Sequence, residues 1–97
     1  MIPFTPAPKP TKNIFFDKQF HKDWKCLKHD KFRKKFVELV SMFIKDPFNK
    51  IFRNHALRGD YEDTRSIDVT GDIRAIYILV DDAYVFLRIG SHSHLYG

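Results

Sequence analysis

The spacing of the apolar residues changes once along this chain, near Pro47, and that change restricts the fold more than any other feature. Before Pro47 the large apolar side chains recur every three or four residues, which is the period of an amphipathic helix. After Pro47, polar and apolar residues alternate as they do in a half-buried strand. The order predicts helices first and a sheet afterwards, which is typical of an α+β fold.

Two helices are predicted before the change of period. Asp17 can cap the first helix, which we expect to end near Lys28–His29, and Asp30 can cap the second. Pro47 disfavours helical geometry at the residue before it and ends the second helix. The apolar faces consist of Phe20, Trp24 and Leu27 in the first helix and of Phe32, Phe36, Leu39, Val40, Phe43 and Ile44 in the second.

Four strands are predicted around these helices: Asn13–Phe16 before them, and Ser66–Val69, Ala75–Val80 and Tyr84–Ile89 after them. Short turns between the last three strands make their pairing antiparallel. In the last strand, alternation places Val85, Leu87 and Ile89 on one face and Tyr84, Phe86 and Arg88 on the other. We therefore expect two N-terminal helices packed on one face of a four-stranded, mainly antiparallel twisted sheet.

The segment 1–12 differs in composition from the rest, because it holds four of the five prolines. We interpret it as a Pro-rich N-terminal arm and residues 13–97 as a single domain, in keeping with the usual domain size. The chain has no apolar run of about 18 residues and no secretory signal, so we expect no membrane partner. The single cysteine, Cys26, agrees with a reducing compartment, and the cytoplasm is the expected location.

The charge is distributed unevenly. Residues 1–58 carry 14 Lys and Arg against 5 Asp and Glu, a net +9, whereas residues 59–97 carry 3 against 7, a net −4. A basic front half suggests a polyanionic partner such as RNA, DNA or an acidic protein segment. Lysines that only solvate the helices explain the same pattern, and the charge alone leaves both explanations open.

Three features stand apart from the core pattern as candidates for chemistry. His55 lies beside basic Arg58 in a predicted loop. Asp72 and Arg74 lie at the start of a predicted central strand. The tail after the last strand, residues 90–97, contains two histidines and a tyrosine. The His-x-His spacing of this tail is a weak metal signal and no cysteine joins it, so no metal site is predicted.

Five short blocks follow one another along the second half of the chain: His55-x-Leu57-x-Gly59, Arg65 with Val69, Asp72, Ile76-Tyr77, and Gly90-Ser91-His92 followed by Leu95-Tyr96. In order and spacing, these blocks are similar to those of RelE-superfamily toxins of the YafQ type. The resemblance covers residues 13–97. It implies an endoribonuclease that cleaves mRNA in the ribosomal A site, and a cognate antitoxin that inhibits it and mediates any contact with operator DNA. It implies no metal and no organic cofactor.

The resemblance also implies functions for individual residues. His55, Asp72 and His92 match active-site positions, Tyr96 matches an aromatic that contacts the substrate, and Arg74 matches a phosphate-binding arginine. General chemistry is consistent with this, because histidine titrates near working pH and arginine binds phosphate through a planar fork of donors. Our hypothesis makes His92 the general acid and His55 the general base or an activator of the 2′-OH.

The remaining assignments of the hypothesis concern orientation and binding. Asp72 orients a histidine or acts as an alternative base, Arg65 and Arg74 hold the scissile phosphate, and Tyr96 stacks on a neighbouring base. Two positions depart from the family pattern: Asp68 stands where YafQ-like sequences carry a histidine, and Ile73 replaces a tryptophan. Asp68 could itself act as a base, although a solvated strand aspartate is the favoured interpretation.

Two alternative functions remain open. A ParE-like toxin on the same fold would bind a protein target such as gyrase, and an inactive member would bind only its antitoxin. The Gly90-Ser91-His92 signature argues against the first alternative. The basic face of the first helix, with Lys18, Lys22 and Lys25, could dock on ribosomal RNA or receive an antitoxin helix.

Overall fold

The computed structural model describes residues 13–97, and the predicted Pro-rich arm lies outside the described residues. The elements in chain order are β1 (Ile14–Phe16), α1 (Lys18–Cys26), α2 (Asp30–Lys45), a 3-10 turn (Lys50–Phe52), β2 (His55–Ala56), a second 3-10 turn (Gly59–Tyr61), β3 (Arg65–Asp68), β4 (Ile73–Val80), β5 (Ala83–Ser91) and α3 (His92–Tyr96).

The five strands form one mixed sheet in the order β1-β5-β4-β3-β2. β1 runs parallel to β5, and every other neighbouring pair is antiparallel. The predicted α+β class, with helices on a mainly antiparallel sheet, is confirmed, but the count of four strands is wrong. The additional strand, β2, contains only His55 and Ala56, which is too short a segment to show alternation in the sequence.

α1 and α2 pack on one face of the sheet through a single apolar cluster. Phe43 at 0% and Phe36 at 2% exposure lie at its centre. Phe43 contacts the rings of Tyr77, Tyr84 and Phe86 edge-on or tilted, at centroid distances of 5.1, 4.9 and 5.6 Å. Within residues 13–97, no helix combines the length and the apolar character needed to cross a lipid bilayer.

The ends of α1 are fixed by side chains. The Asp17 carboxylate accepts a hydrogen bond from the backbone N–H of Gln19, as predicted for the cap. At the other end Arg33 of α2 donates to the carbonyls of Trp24 and Leu27, at 3.1 and 2.8 Å. This contact satisfies carbonyls that a longer helix would use internally. α1 therefore ends at Cys26, before the predicted boundary.

β5 contains a bulge at Leu87. Ile76 of β4 pairs with Arg88 and the next residue, Tyr77, pairs with Phe86, so Leu87 is extra. A bulge interrupts the alternation of faces. Ile89 accordingly joins Phe86 in the apolar cluster under the helices, and the prediction that placed them on opposite faces is wrong.

Candidate active site

A cleft of about 360 Å³ lies on the sheet face away from α1 and α2. Ile67 of β3 belongs to the core under the helices, so alternation turns its neighbours Ser66 and Asp68 to the opposite face, where they line this cleft. The other lining residues are Arg53, His55, Leu57, Arg74, His92 and Tyr96. The cleft thus combines two histidines, two arginines, a carboxylate and an aromatic ring.

His55 lies on the edge strand β2, where its ring is exposed. Its Nδ1 atom is 2.8 Å from the backbone carbonyl of Arg53. A carbonyl can only accept a hydrogen bond, so neutral His55 carries its proton on Nδ1. Its Nε2 atom then has the free lone pair that a general base requires.

The backbone beside His55 is held by Asn54 and Arg65. The Asn54 amide donates to the Pro47 carbonyl at 2.9 Å and to the Tyr77 hydroxyl at 2.8 Å. Its oxygen accepts a hydrogen bond from Nε of Arg65 at 2.7 Å. Because all hydrogen-bonding groups of this amide point into the protein, Asn54 fixes the position of the neighbouring His55.

Arg74 is held rigidly at the cleft. Its Nε atom is 3.0 Å from Oδ1 of Asp68, and its Nη1 atom donates to the carbonyls of Thr70 and Gly71. Among residues 13–97, no protein acceptor takes a hydrogen bond from Nη2. The fixed guanidinium therefore retains donors for a phosphate oxygen.

Asp68 also contacts Arg53, whose Nε atom lies 3.8 Å from Oδ2. Its side chain is only 15% exposed, so the expectation of a solvated strand aspartate is wrong. Arg53 has a left-handed backbone conformation with φ 48°, which residues other than glycine, asparagine and aspartate seldom adopt. Asp68 therefore lies between two cationic side chains, whose charge it partly balances.

α3 brings His92 and Tyr96 to the cleft. Their ring centroids are 4.8 Å apart, and the ring of Tyr61 contacts Tyr96 edge-on at 5.6 Å. The Tyr61 hydroxyl donates to the Leu95 carbonyl at 3.1 Å, and the Leu95 side chain is buried. The terminal helix is thus fixed on the sheet while the His92 ring stays exposed.

The Gly90-Ser91-His92 block has a physical explanation in this geometry. The Ser91 hydroxyl caps α3 by accepting a hydrogen bond from the backbone N–H of His94. The His94 ring lies directly over Gly90, where a Cβ atom would be 2.7 Å from its Cδ2 atom. Glycine makes room for His94, serine begins the helix, and His92 follows at its first position.

Four of the six predicted site residues line this one cleft: His55, Arg74, His92 and Tyr96. Asp72 lies instead in a second cleft of about 520 Å³, together with Asp23 and His94. Its backbone N–H donates to the Thr70 hydroxyl in the β3–β4 turn. The functional roles assigned to all six residues stay predictions.

Arg65 lies outside the cleft as well. Besides its hydrogen bonds to Asn54, its guanidinium lies 5.0 Å from the centroid of the Phe48 ring. Through these contacts, Arg65 stabilises the segment that contains Arg53 and His55. They do not direct it toward a phosphate in the cleft.

Sequence reasoning missed Arg53, Asn54 and Tyr61 as parts of the site. Arg53 enters the cleft through a left-handed backbone conformation that its residue type does not signal. Asn54 and Tyr61 act through contacts 23 and 34 residues away along the chain, with Tyr77 and Leu95. Among residues 13–97, no three His, Cys, Asp or Glu side chains are grouped so that they could hold a metal ion.

The sequence of this chain is similar to those of known proteins. A family model for the bacterial toxin of type II toxin–antitoxin system, YafQ, matches residues 12–97. The mRNA interferase toxin YafQ of Escherichia coli (strain K12) is 30% identical over 89 residues, covering 89% of this chain and 97% of that protein.

Two solved structures of YafQ are similar in fold to this chain. The crystal structure of YafQ from E. coli strain BL21(DE3) matches with a TM-score of 0.75 at 27% identity, covering 89% of this chain and 99% of that chain. A chain of the E. coli DinJ–YafQ complex matches with a TM-score of 0.73 at 27% identity and the same coverage. This chain therefore belongs to the YafQ family of bacterial toxins of type II toxin–antitoxin systems.

Proposed function

We propose that this toxin is an mRNA interferase, a ribosome-dependent endoribonuclease that cuts mRNA through attack of the RNA's own 2′-OH. The observation that carries the proposal is the convergence of His55 and His92 on one cleft, beside the fixed guanidinium of Arg74. The name of the E. coli relative, mRNA interferase toxin YafQ, supports the same substrate class.

The proton transfers follow from the geometry of the two histidines. Nε2 of His55 takes the 2′-OH proton while the 2′-oxygen forms a bond to the adjacent phosphorus. The bond from phosphorus to the 5′-oxygen then breaks, and protonated His92 donates a proton to that oxygen. The products are a 2′,3′-cyclic phosphate and a free 5′-OH. Each positioned proton transfer contributes about 10²–10⁴-fold to the rate.

The cationic side chains stabilise the negative charge that develops on the phosphorane. Arg74 offers donors whose direction is fixed in advance, so little reorganisation is needed in the transition state. Arg53 adds a second, more exposed cation, since its side chain is 78% exposed. Asp68 holds Arg74 in place and is the alternative proton acceptor to His55.

Tyr96 is the proposed stacking surface for a base next to the scissile phosphate. Tyr96 is 38% exposed, and its ring contacts the ring of Tyr61 edge-on. Stacking of a base on an aromatic ring is worth about 1–3 kcal/mol. The predicted contributions of Asp72 and Arg65 are not needed for these steps, which use only side chains of the cleft.

The basic face of α1 is the proposed ribosome-docking surface. Lys18, Lys22 and Lys25 are all exposed, and their spacing places them on one side of the helix. Contacts with RNA phosphates gain free energy from counterion release, so affinity supplied by this face depends on salt. We place the activity in the cytoplasm, where ribosomes and mRNA are found.

A cognate antitoxin is the proposed inhibitor of this activity. The crystal structure of the E. coli DinJ–YafQ toxin–antitoxin complex contains a relative with the same fold in complex with its antitoxin. An antitoxin that covers the cleft or the basic face of α1 would prevent entry into the ribosome. Any contact of this toxin with operator DNA is proposed to occur through the antitoxin.

Primer extension on an mRNA translated in vitro tests the proposal. We expect the wild-type toxin to produce new 5′ ends only when ribosomes are present. His92→Gln should abolish them without changing the fold, and His21→Gln, an exposed histidine of α1, should leave cleavage intact. Stalled gyrase complexes without new 5′ ends would favour a ParE-like toxin. The absence of both would favour an inactive, antitoxin-binding member.

A further inference from the structure

Asp23 is a buried carboxylate that the proposed mechanism does not use. It lies on α1 with 2% exposure, outside the cleft that contains His55 and His92. Burying a charged group is costly unless it is paired and hydrogen-bonded. A carboxylate in this position therefore requires a structural or functional explanation.

Five contacts within hydrogen-bond distance satisfy the two oxygens of Asp23. Nε and Nη2 of Arg88 lie at 2.6 and 3.2 Å, the Ile89 backbone N–H at 3.1 Å, the Gln19 amide at 3.2 Å and Nε2 of His94 at 3.2 Å. Burial raises the pKa of Asp23, but the hydrogen bonds, led by that of Arg88, outweigh it, so the pKa lies below its ordinary value. Asp23 is therefore ionised under the conditions in which a ribosome works.

Two of these contacts lead to α3. His94, in the middle of that helix, binds Asp23 directly. The second route passes through Arg88, whose Nη1 atom donates to the Tyr61 hydroxyl at 3.1 Å. That hydroxyl in turn donates to the Leu95 carbonyl. One buried carboxylate is thus connected to two consecutive residues of α3.

α3 depends on such contacts, because it has only five residues. A helix this short is not stable by itself in water. His92 and Tyr96 lie at its two ends, on the side of the cleft. The position of His92, the proposed general acid, therefore depends on the contacts that His94 and Leu95 make with Asp23 and Tyr61.

We propose that Asp23 is a positioning residue for the nuclease reaction, which fixes α3 so that His92 and Tyr96 face the bound phosphodiester. The inference rests on the proposed function. It assigns to the buried face of α1 a contribution to catalysis that is separate from its contribution to folding. A displacement of about 1 Å in a reacting group can reduce a rate by about 100-fold.

Asp23→Asn tests the proposal, because it keeps the size of the side chain and removes its charge. We expect the single-turnover cleavage rate of mRNA on saturating ribosomes to fall about 100-fold, while the ribosome concentration for half-maximal rate stays unchanged. The matched control is Leu39→Ala, which removes a buried side chain of α2 on the sheet face opposite the cleft and should leave the rate unchanged. Equal losses of rate in both variants would overturn the proposal.

A second readout separates this proposal from the proposed function. The His92 and Tyr96 rings, 4.8 Å apart at their centroids, should give a nuclear Overhauser effect in the free toxin. We expect Asp23→Asn to abolish this signal and Leu39→Ala to preserve it, whether or not the toxin cleaves mRNA. An unchanged signal in folded Asp23→Asn would overturn the positioning role.

Tyr61→Phe provides the test if Asp23→Asn does not fold. This variant keeps the ring that contacts Tyr96 and removes only the hydroxyl between Arg88 and Leu95. We expect a loss of rate of about tenfold at an unchanged half-saturating ribosome concentration, together with a weakened His92–Tyr96 signal. Wild-type values for both measurements would contradict the route through Tyr61, and wild-type values in His94→Ala as well would overturn the proposal.

Discussion

Asp68 on β3 holds Arg74 on β4 across the strand pair, with 3.0 Å between Oδ1 and Nε. The two residues are register partners, so the backbone pairing itself brings carboxylate and guanidinium together. This ion pair orients the arginine before any substrate arrives.

Replacing Asp68 with Asn should make the Arg74 guanidinium more mobile. We expect the cleavage rate to fall roughly tenfold, which corresponds to about 1.4 kcal/mol of transition-state stabilisation. Single-turnover cleavage on programmed ribosomes measures the effect, and Asp60→Asn, an exposed carboxylate outside the cleft, is the control. Complete loss of cleavage would instead identify Asp68 as the proton acceptor in place of His55.

Changing Lys18, Lys22 and Lys25 to Glu should weaken ribosome binding. Each lysine that contacts a phosphate contributes about one unit to the salt dependence of binding, so the slope should fall by about three. Binding measured between low and physiological salt checks this. The control variant changes Lys31, Lys34 and Lys45 of α2 to Glu and therefore has the same net charge. Unaltered affinity at low salt in the α1 variant would rule out this docking surface.

Gly90→Ala should destabilise the fold by about 1–3 kcal/mol, because the new methyl group overlaps the His94 ring. In a His94→Ala background the same substitution should cost much less, since the ring is absent. Urea denaturation of the four proteins gives the coupling energy between the two positions. If the effects of Gly90→Ala and His94→Ala on the unfolding free energy are additive, contact with the His94 ring is not the reason for glycine at position 90.

The stability of the protein should depend on Asp23 in a defined pH range. Its pKa in the folded protein lies below the ordinary value of 3.8, so its ionised form stabilises the fold above about pH 4. This contribution is lost as the pH falls through the folded-state pKa. Two titratable groups face Asp23: Arg88 from β5, which carries a positive charge in that range, and His94 from α3.

Urea denaturation of the wild type and of Asp23→Asn between pH 2 and pH 7 checks this. The difference in unfolding free energy should shrink as the pH falls below 3.8, the ordinary pKa of Asp23. A difference that does not change with pH would mean that the charge of Asp23 contributes nothing to stability.

The helices and long strands could be predicted because their sequence periods are local properties. The boundary of α1 could not, because it depends on Arg33 donating to Trp24 from another helix. The face of Ile89 was mispredicted for a related reason. The bulge at Leu87 is defined by the register between β4 and β5, and nothing in the local sequence marks it.

The site was predictable to the extent that it follows family motifs. His55 and Arg74 come from separate segments, His92 and Tyr96 come from the C-terminal block, and the fold brings all four to one cleft. The surroundings of these residues depend on backbone geometry and distant pairing. Arg53 reaches the cleft through its positive φ.

The Asp23 carboxylate also occupies the edge of β5 that β1 leaves unpaired. β1 covers that edge only as far as Phe86, and the amide of Ile89 farther along donates to Asp23 rather than to a neighbouring strand. A strand from another molecule could extend the sheet here only by displacing that side chain. Protection against edge-to-edge aggregation and correct placement of the terminal helix are therefore linked through one residue, and a substitution that impairs one should impair the other.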